Sequence, residues 1–132
     1  MMAQQGESIQ FDTRKTVQEI ANVLRSYGGN MEKLNSDPLA GISGGETEAI
    51  AIVIWDEVRG FREMMKHPAS KGAAWAVQVY VYEQGEARHI ELVALGKSSG
   101  SMWLSGAIGR GNRTYHLGFS RDHRDELAKL LA

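Results

Sequence analysis

The sequence predicts an α+β fold, an antiparallel meander sheet of about five to six strands with an N-terminal and a C-terminal helix packed on one face. Three observations support this prediction. A segment near each end of the chain places apolar residues at helical spacing. Several segments between them are short, apolar and rich in β-branched residues. The gaps that separate these segments are short and rich in turn residues, as antiparallel hairpins require.

Length and composition limit the class of protein. The 132 residues fit one domain, 1–132, of which we expect residues 1–6 to be disordered. A net charge of −1 gives no general attraction to nucleic acid or to an anionic membrane. The absence of cysteine excludes disulfides, thiolate chemistry and cysteine-based zinc sites.

Neither the N-terminal residues nor the apolar runs indicate a secretion signal or a membrane span. The N-terminal MMAQQGES has no basic start and no apolar run, so we expect no signal peptide. The longest apolar run, over 49–55, is too short to span a bilayer. We therefore expect a soluble, cytoplasmic protein with no membrane partner.

The N-terminal elements are a short strand over 7–12 and the clearest helix of the chain, within 13–29. Asp12 or Thr13 can cap this helix, because a side-chain oxygen there can accept a free backbone N–H. The Gly28–Gly29 pair should end it in the left-handed conformation, which glycine adopts without a Cβ clash.

The next part of the chain alternates irregular and extended segments. Residues 30–47 predict a loop with one helical turn around 31–34, and 48–58 predict a buried strand. A connector over 59–73 contains a short helix that Pro68 ends.

The second half predicts a run of strands and a closing helix over 121–132. The helix should be capped by Ser120 or Asp122 and should turn Leu127, Leu130 and Leu131 inwards. The strands are expected at 75–84, 88–96, 101–109 and 113–120.

The glycine-rich GRGNR at 109–113 raises the question of a phosphate-binding loop. Such a loop delivers backbone N–H groups at the start of a helix. Because RTYHLGF after it alternates with period two, we expect a strand there and interpret GRGNR as a hairpin turn.

This order of elements resembles helix-grip and TATA-binding-protein-like domains. The segments that carry the resemblance are WAVQVYVYEQ, HIELVALG, SMWLSGAIGRGNRTYHLGF and the closing helix. These include small bacterial families with no assigned function. The resemblance implies a fold rather than an activity, and relatives of the helix-grip type can use a cleft between sheet and helices.

Residue parity sorts the strands into two faces. One set is uniformly apolar and should lie under the helices: Ile50, Ile52, Ile54, Val77, Val79, Val81, Ile90, Leu92, Met102, Leu104, Ile108, Tyr115, Leu117 and Phe119. The opposite set mixes aromatic and polar side chains. We name it the aromatic sheet face; its members are Trp55, Gln78, Tyr80, Tyr82, His89, Glu91, Val93, Trp103, Ser105 and His116.

The aromatic sheet face predicts where a partner would bind. It is too apolar for bare solvent and too polar for a core, so it can be an incompletely polar outer face, a protein interface or the wall of a ligand cleft. We expect a non-enzymatic binding or protein-interaction module that forms a homodimer through this face. The alternative is a small apolar-ligand-binding protein or an enzyme with a cleft between sheet and helices, near Tyr80, Trp103 and His116.

Two further chemistries have weaker patterns. His89, Glu91 and His116 could form a His₂Glu metal site if the strands brought them together. We expect solvated or hydrogen-bonded side chains instead, with no metal, no cofactor and no catalytic residue, since no nucleophile elbow or paired-carboxylate signature is present.

Basic residues near the C-terminus could suit single-stranded nucleic acid, because they alternate with aromatics. The acidic Asp122, Asp125 and Glu126 offset much of this charge. We therefore expect no nucleic-acid partner. The basic residues and the aromatics nearest to them are Arg110, Arg113, Arg121, Arg124, Trp103 and Tyr115.

Overall fold

Five strands of the computed structural model form one antiparallel sheet, and two helices pack on one of its faces. The structure describes residues 7–34, 47–57, 74–96 and 115–132. Within these ranges the predicted α+β fold is confirmed. The expectations for residues 1–6, for the short helix before Pro68 and for a strand over 101–109 lie outside the described residues.

The sheet has the strand order β1-β5-β4-β3-β2. Every neighbouring pair is antiparallel, and β4 is central and buried along most of its length. Gly85 (φ 62°) and Glu86 join β4 to β5 in a two-residue turn, where the left-handed conformation favours glycine. The strands are β1 (Ser8–Thr13), β2 (Asn30–Lys33), β3 (Thr47–Glu57), β4 (Ala74–Gln84) and β5 (Ala87–Leu95).

Strand β2 replaces the helical turn predicted around 31–34, so that prediction is wrong. Asn30 to Lys33 pair with Trp55 to Ile52 of β3. An isolated helical turn fixes several dihedral angles for a single hydrogen bond and is unstable alone. Pairing with the edge of a formed strand supplies backbone hydrogen bonds at lower entropic cost, and tertiary context prevails over local propensity.

Helix α1 (Val17–Tyr27) begins later than predicted. Its N-cap is Thr16, whose hydroxyl accepts from the Glu19 amide at 3.1 Å while the Glu19 carboxylate accepts from the Thr16 amide at 2.9 Å. Asp12 and Thr13 cannot cap it because they still pair with β5. Gly28 ends the helix as predicted, but with φ 92° and ψ −175°, an extended glycine conformation rather than the left-handed one.

Helix α2 (Leu117–Leu131) includes residues that period-two alternation assigned to a strand. His116 is its N-cap, so the predicted strand over 113–120 and the caps at Ser120 or Asp122 are wrong. The alternating pattern there is short, and short patterns fit helix and strand alike. The helical conformation allows a contact with the sheet, because the buried Ser120 hydroxyl accepts a hydrogen bond from the Ala76 amide of β4 at 3.0 Å.

The core lies between the helices and the apolar sheet face, as parity predicts. It includes Ile54, Val77, Val79, Val81, Ile90, Leu92, Ile20, Leu24, Phe119, Leu127 and Leu131. Two predictions at its edge are wrong. Leu130 is 46% exposed and lies outside the packed core. Tyr115 packs on the opposite face with Tyr80 and Tyr82, because it forms a single bridge to Ala74 and is not part of a strand.

In the described part of the chain, neither helix is long and apolar enough to cross a membrane.

Candidate functional site

Where the structure describes it, most of the aromatic sheet face is buried inside the chain, and His89 and His116 are half-buried. Gln78, Tyr80 and Tyr82 are 1% exposed, and Glu91 is 5% exposed. Trp55 is also buried, and its indole N–H donates to Glu32 Oε2 at 2.9 Å. An interface requires side chains that are accessible before association. This burial removes the observation on which self-association through this face depended, and the homodimer itself stays a prediction.

His89 and Glu91 belong to a polar network between β1 and β5. Nδ1 of His89 lies 2.7 Å from Asp12 Oδ1, and Nε2 lies 3.0 Å from Gln10 Oε1. Ser8 Oγ donates to Glu91 Oε2 at 2.7 Å. Gln10 joins the two predicted residues into one network, because its Nε2 also donates to Glu91 Oε2, at 3.5 Å. The partners come from β1, which parity within single strands did not indicate.

The structure does not bring His116 to this network. Nδ1 of His116 accepts from the Phe119 amide at 3.3 Å, at the start of α2. Across the described ranges, no group of three His, Cys, Asp or Glu side chains is arranged to hold a metal ion. Trp103 and Ser105, also predicted in the aromatic sheet face, lie outside the described residues.

A cleft of about 660 Å³ opens on the other side of the sheet, between α1, α2 and the ends of β3 and β4. It is therefore not the cavity predicted near Tyr80 and His116. Its described lining residues are Asn22, Val23, Ser26, Tyr27, Gly28, Gly29, Asp56, Glu57, Trp75, His123, Glu126 and Leu130.

The turn after α1 positions one wall of this cleft. Gly29 has φ 89°, and a Cβ built on it would lie 3.1 Å from the carbonyl oxygen of Trp55. Only glycine combines this backbone angle with so close an approach to β3. The chain can therefore reverse directly into β2, which leaves Tyr27 at the end of α1 and beside α2.

Tyr27 joins the two helices through two hydrogen bonds. Its hydroxyl lies 2.5 Å from Nδ1 of His123 and donates to Glu126 Oε1 at 2.7 Å. A phenol has one proton, so while it donates to Glu126 it must accept from Nδ1–H of His123. A neutral His123 is therefore expected to be the tautomer that carries its proton on Nδ1. His123 and Glu126 are three residues apart and so share one face of α2.

Trp75 forms the apolar base of the cleft. Its indole stacks on His123 with ring centroids 3.8 Å apart and an angle of 13°. It also meets Tyr27 edge to face, at 6.0 Å and 89°. Trp75 is 5% exposed and belongs to the core. The His123 ring is consequently held on one side by packing and at its edge by the Tyr27 hydroxyl.

The described lining of the cleft includes three carboxylates. Asp56 lies directly across from Trp75 in the β3–β4 pairing, Glu57 follows it, and Glu126 approaches from α2. None of the described lining residues is Lys or Arg.

Sequence reasoning missed the residues of this cleft. None of its lining residues belongs to the predicted site, and Glu126 enters the sequence prediction only as an acidic residue that offsets nearby basic charge. The available signal was the i, i+3 spacing of His123 and Glu126 on the predicted closing helix. Nothing in the sequence indicated that Tyr27, 96 residues earlier, would contact them.

Comparison with protein-family models, curated proteins and solved structures finds no match for this chain. The resemblance to helix-grip and TATA-binding-protein-like domains therefore stays a prediction.

Proposed function

We propose that this protein binds a small molecule in the cleft between its sheet and its two helices. The observation that supports the proposal is the cavity of about 660 Å³ with an aromatic base and converging polar groups. Small-molecule sites are typically concave, about 300–1,000 Å³ in volume, with apolar walls and a few placed polar side chains. This is the alternative function that the sequence suggested, at a different position in the fold.

The packing around the cleft supports a preformed site. His123 is fixed by Trp75 and by the Tyr27 hydroxyl, and Tyr27 in turn donates to Glu126. Side chains whose rotamers are held before binding lose less entropy when a ligand arrives. The site therefore offers polar groups in a defined geometry.

A fragment screen by two-dimensional ¹H–¹⁵N NMR tests the proposal. The screen uses aromatic fragments that carry a positive charge, a negative charge or none. Binding fragments should shift the amides of Gly28 and Gly29 and the Trp75 indole N–H in a saturable way, because these groups lie in or beside the cleft.

Two matched tryptophan variants locate the binding. Ser26→Trp places a large ring at the cleft wall and should abolish the shifts. Arg14→Trp puts the same ring at an exposed position before α1, outside the cleft, and should leave them unchanged. Circular dichroism confirms that both variants are folded. Binding that persists in folded Ser26→Trp, or that shifts only distant amides, contradicts the proposal.

A further inference from the structure

We infer that protonation of His89 strengthens the attachment of the edge strand β1 to β5, so that this edge of the sheet is more stable below the pH at which the ring loses its proton than above it. The inference concerns the polar network between β1 and β5 and does not depend on the proposed binding cleft.

The contacts of the His89 ring are the first argument, because both ring nitrogens face oxygen atoms of β1. Nδ1 lies 2.7 Å from Asp12 Oδ1, and Nε2 lies 3.0 Å from Gln10 Oε1. An imidazolium ring has two N–H donors, whereas a neutral imidazole has one donor and one acceptor. Only the protonated ring therefore satisfies both contacts in this arrangement.

The Gln10 amide is the second argument, because it cannot satisfy a neutral ring and Glu91 together. A neutral ring that keeps its proton towards the charged acceptor Asp12 turns the lone pair of Nε2 towards Gln10 Oε1. Rotation of the amide would offer Nε2 of Gln10 to the ring, but it would turn Oε1 towards Glu91 Oε2, to which Nε2 now donates at 3.5 Å. A proton kept on Nε2 of the ring would instead leave the lone pair of Nδ1 against the Asp12 carboxylate. Each arrangement of the neutral ring brings two acceptors into contact.

The charges around the imidazole ring are the third argument. Asp12 of β1 and Glu91 of β5 place carboxylates on its face of the sheet, and carboxylates attract an imidazolium. Arg88, the preceding residue of β5, donates instead to the Lys15 carbonyl at 2.7 Å. From β4, the Tyr82 ring lies beside the imidazole with centroids 6.4 Å apart, and a tyrosine adds no charge near neutral pH.

The position of β1 limits the effect to one edge of the sheet. β1 ends the described strand order and pairs with β5. Strands at an edge open locally at a lower free energy than central strands do. The Asp12 side chain is 61% exposed, so water offsets part of its contact with His89. The change should therefore appear in β1 rather than in the centre of the sheet.

Side-chain NMR tests the coupling between His89 and Gln10. Long-range ¹H–¹⁵N spectra recorded from pH 5 to pH 8, the range in which histidine usually changes its charge, follow the proton on the His89 ring. The side-chain NH₂ of Gln10 should shift with the same midpoint, because the amide oxygen loses its N–H partner as the ring loses its proton. Gln18, an exposed glutamine of α1, is the internal control, and its NH₂ should not follow this titration.

Hydrogen exchange measures the effect on β1. From pH 5 to pH 8, the protection factors of the β1 amides should fall about fivefold relative to those of β3, as expected for the loss of one hydrogen bond. Gln10→Leu, at an exposed position, removes the amide and with it the mismatch, so the fall should be about twofold at most. Gln18→Leu makes the same substitution outside the network and should keep the full fall.

Either measurement can overturn the inference. It fails if the Gln10 NH₂ does not follow the His89 titration, or if β1 and β3 change their protection equally between the two pH values. It also fails if folded Gln10→Leu keeps the full fall. Agreement of both measurements with the His89 titration, with the fall lost in Gln10→Leu and kept in Gln18→Leu, supports it.

Discussion

Removal of one oxygen atom tests the arrangement at the centre of the cleft. Tyr27→Phe deletes the hydroxyl that contacts Nδ1 of His123 and donates to Glu126, and it keeps the ring that meets Trp75 edge to face. The variant therefore separates the hydrogen bonds from the packing.

The structure sets the size of the expected loss. A hydrogen bond typically contributes about 0.5–1.5 kcal/mol, and about 1.5–3 kcal/mol when one partner is charged. Because Glu126 is exposed, water replaces much of its bond, whereas the contact to His123 is partly buried. We expect Tyr27→Phe to lower the free energy of unfolding by about 1–2 kcal/mol. For a chain of this length that corresponds to a fall in Tm of about 4–8 °C.

Thermal unfolding and histidine NMR measure the two consequences. Calorimetry gives the change in Tm, and long-range ¹H–¹⁵N spectra report which ring nitrogen of His123 carries the proton. A neutral His123 should be the Nδ1–H tautomer in the wild-type protein, and this preference should weaken in Tyr27→Phe. In a Glu126→Gln background, where the acceptor is neutral, Tyr27→Phe should cost less than in the wild type.

Two results would refute this reasoning. The first is a Tyr27→Phe variant whose Tm equals that of the wild-type protein. The second is a wild-type protein in which the neutral His123 ring carries its proton on Nε2, because the Tyr27 hydroxyl could not then accept a hydrogen bond from Nδ1.

Four further predictions concern the fold. Tyr82→Glu should unfold the chain or lower the free energy of unfolding by about 4 kcal/mol or more, because Tyr82 is 1% exposed and a carboxylate there loses its hydration. A folded variant that light scattering shows to change only from dimer to monomer would contradict this and would support self-association through the aromatic sheet face. Gly96→Ala should cost about 1–3 kcal/mol by urea unfolding, because its Cβ would lie 2.7 Å from the Cβ of Leu117, and a variant as stable as the wild type would contradict this close approach of β5 to α2. Thr16→Ala should cost about 1 kcal/mol through loss of the N-cap, and an unchanged urea midpoint would count against the assigned helix start. The hydrogen bond from the Thr16 backbone N–H, and then the one with its hydroxyl, lower the pKa of Glu19 from its ordinary 4.5. The Glu19 carboxylate should therefore stabilise the fold fully above pH 4.5, and this stabilisation should disappear as the pH falls through the lowered pKa of the folded state. A Glu19→Gln variant that differs in stability from the wild type by the same amount at pH 7 and at pH 2 would contradict this.

The run of antiparallel strands β3, β4 and β5 and its helix-facing side were predictable because they depend on neighbours in sequence. Alternation along β3, β4 and β5 reports which side of each strand is buried, and the structure places Ile54, Val77 and Leu92 in the core as expected. The Gly28–Gly29 helix stop was predictable for the same reason, since few residues besides glycine adopt positive φ without strain.

The remaining features depend on contacts between distant segments. β2 forms because β3 provides a strand for it to pair with. α2 begins at Leu117 because its first turn packs against β4 and the end of β5. A short alternating pattern in the sequence does not show that such packing favours the helix. Of the predicted site, His89 and Glu91 do share a network, but their partners come from β1.

By itself, then, the sequence determined the α+β class, the order of most elements and the apolar face of the sheet, because each follows from local periodicity. Only the tertiary structure decided that most of the described aromatic sheet face is buried and that Tyr27 and His123, 96 residues apart, meet beside Trp75. The physical reason is that burial and site assembly depend on the path of the whole chain, which no local pattern encodes.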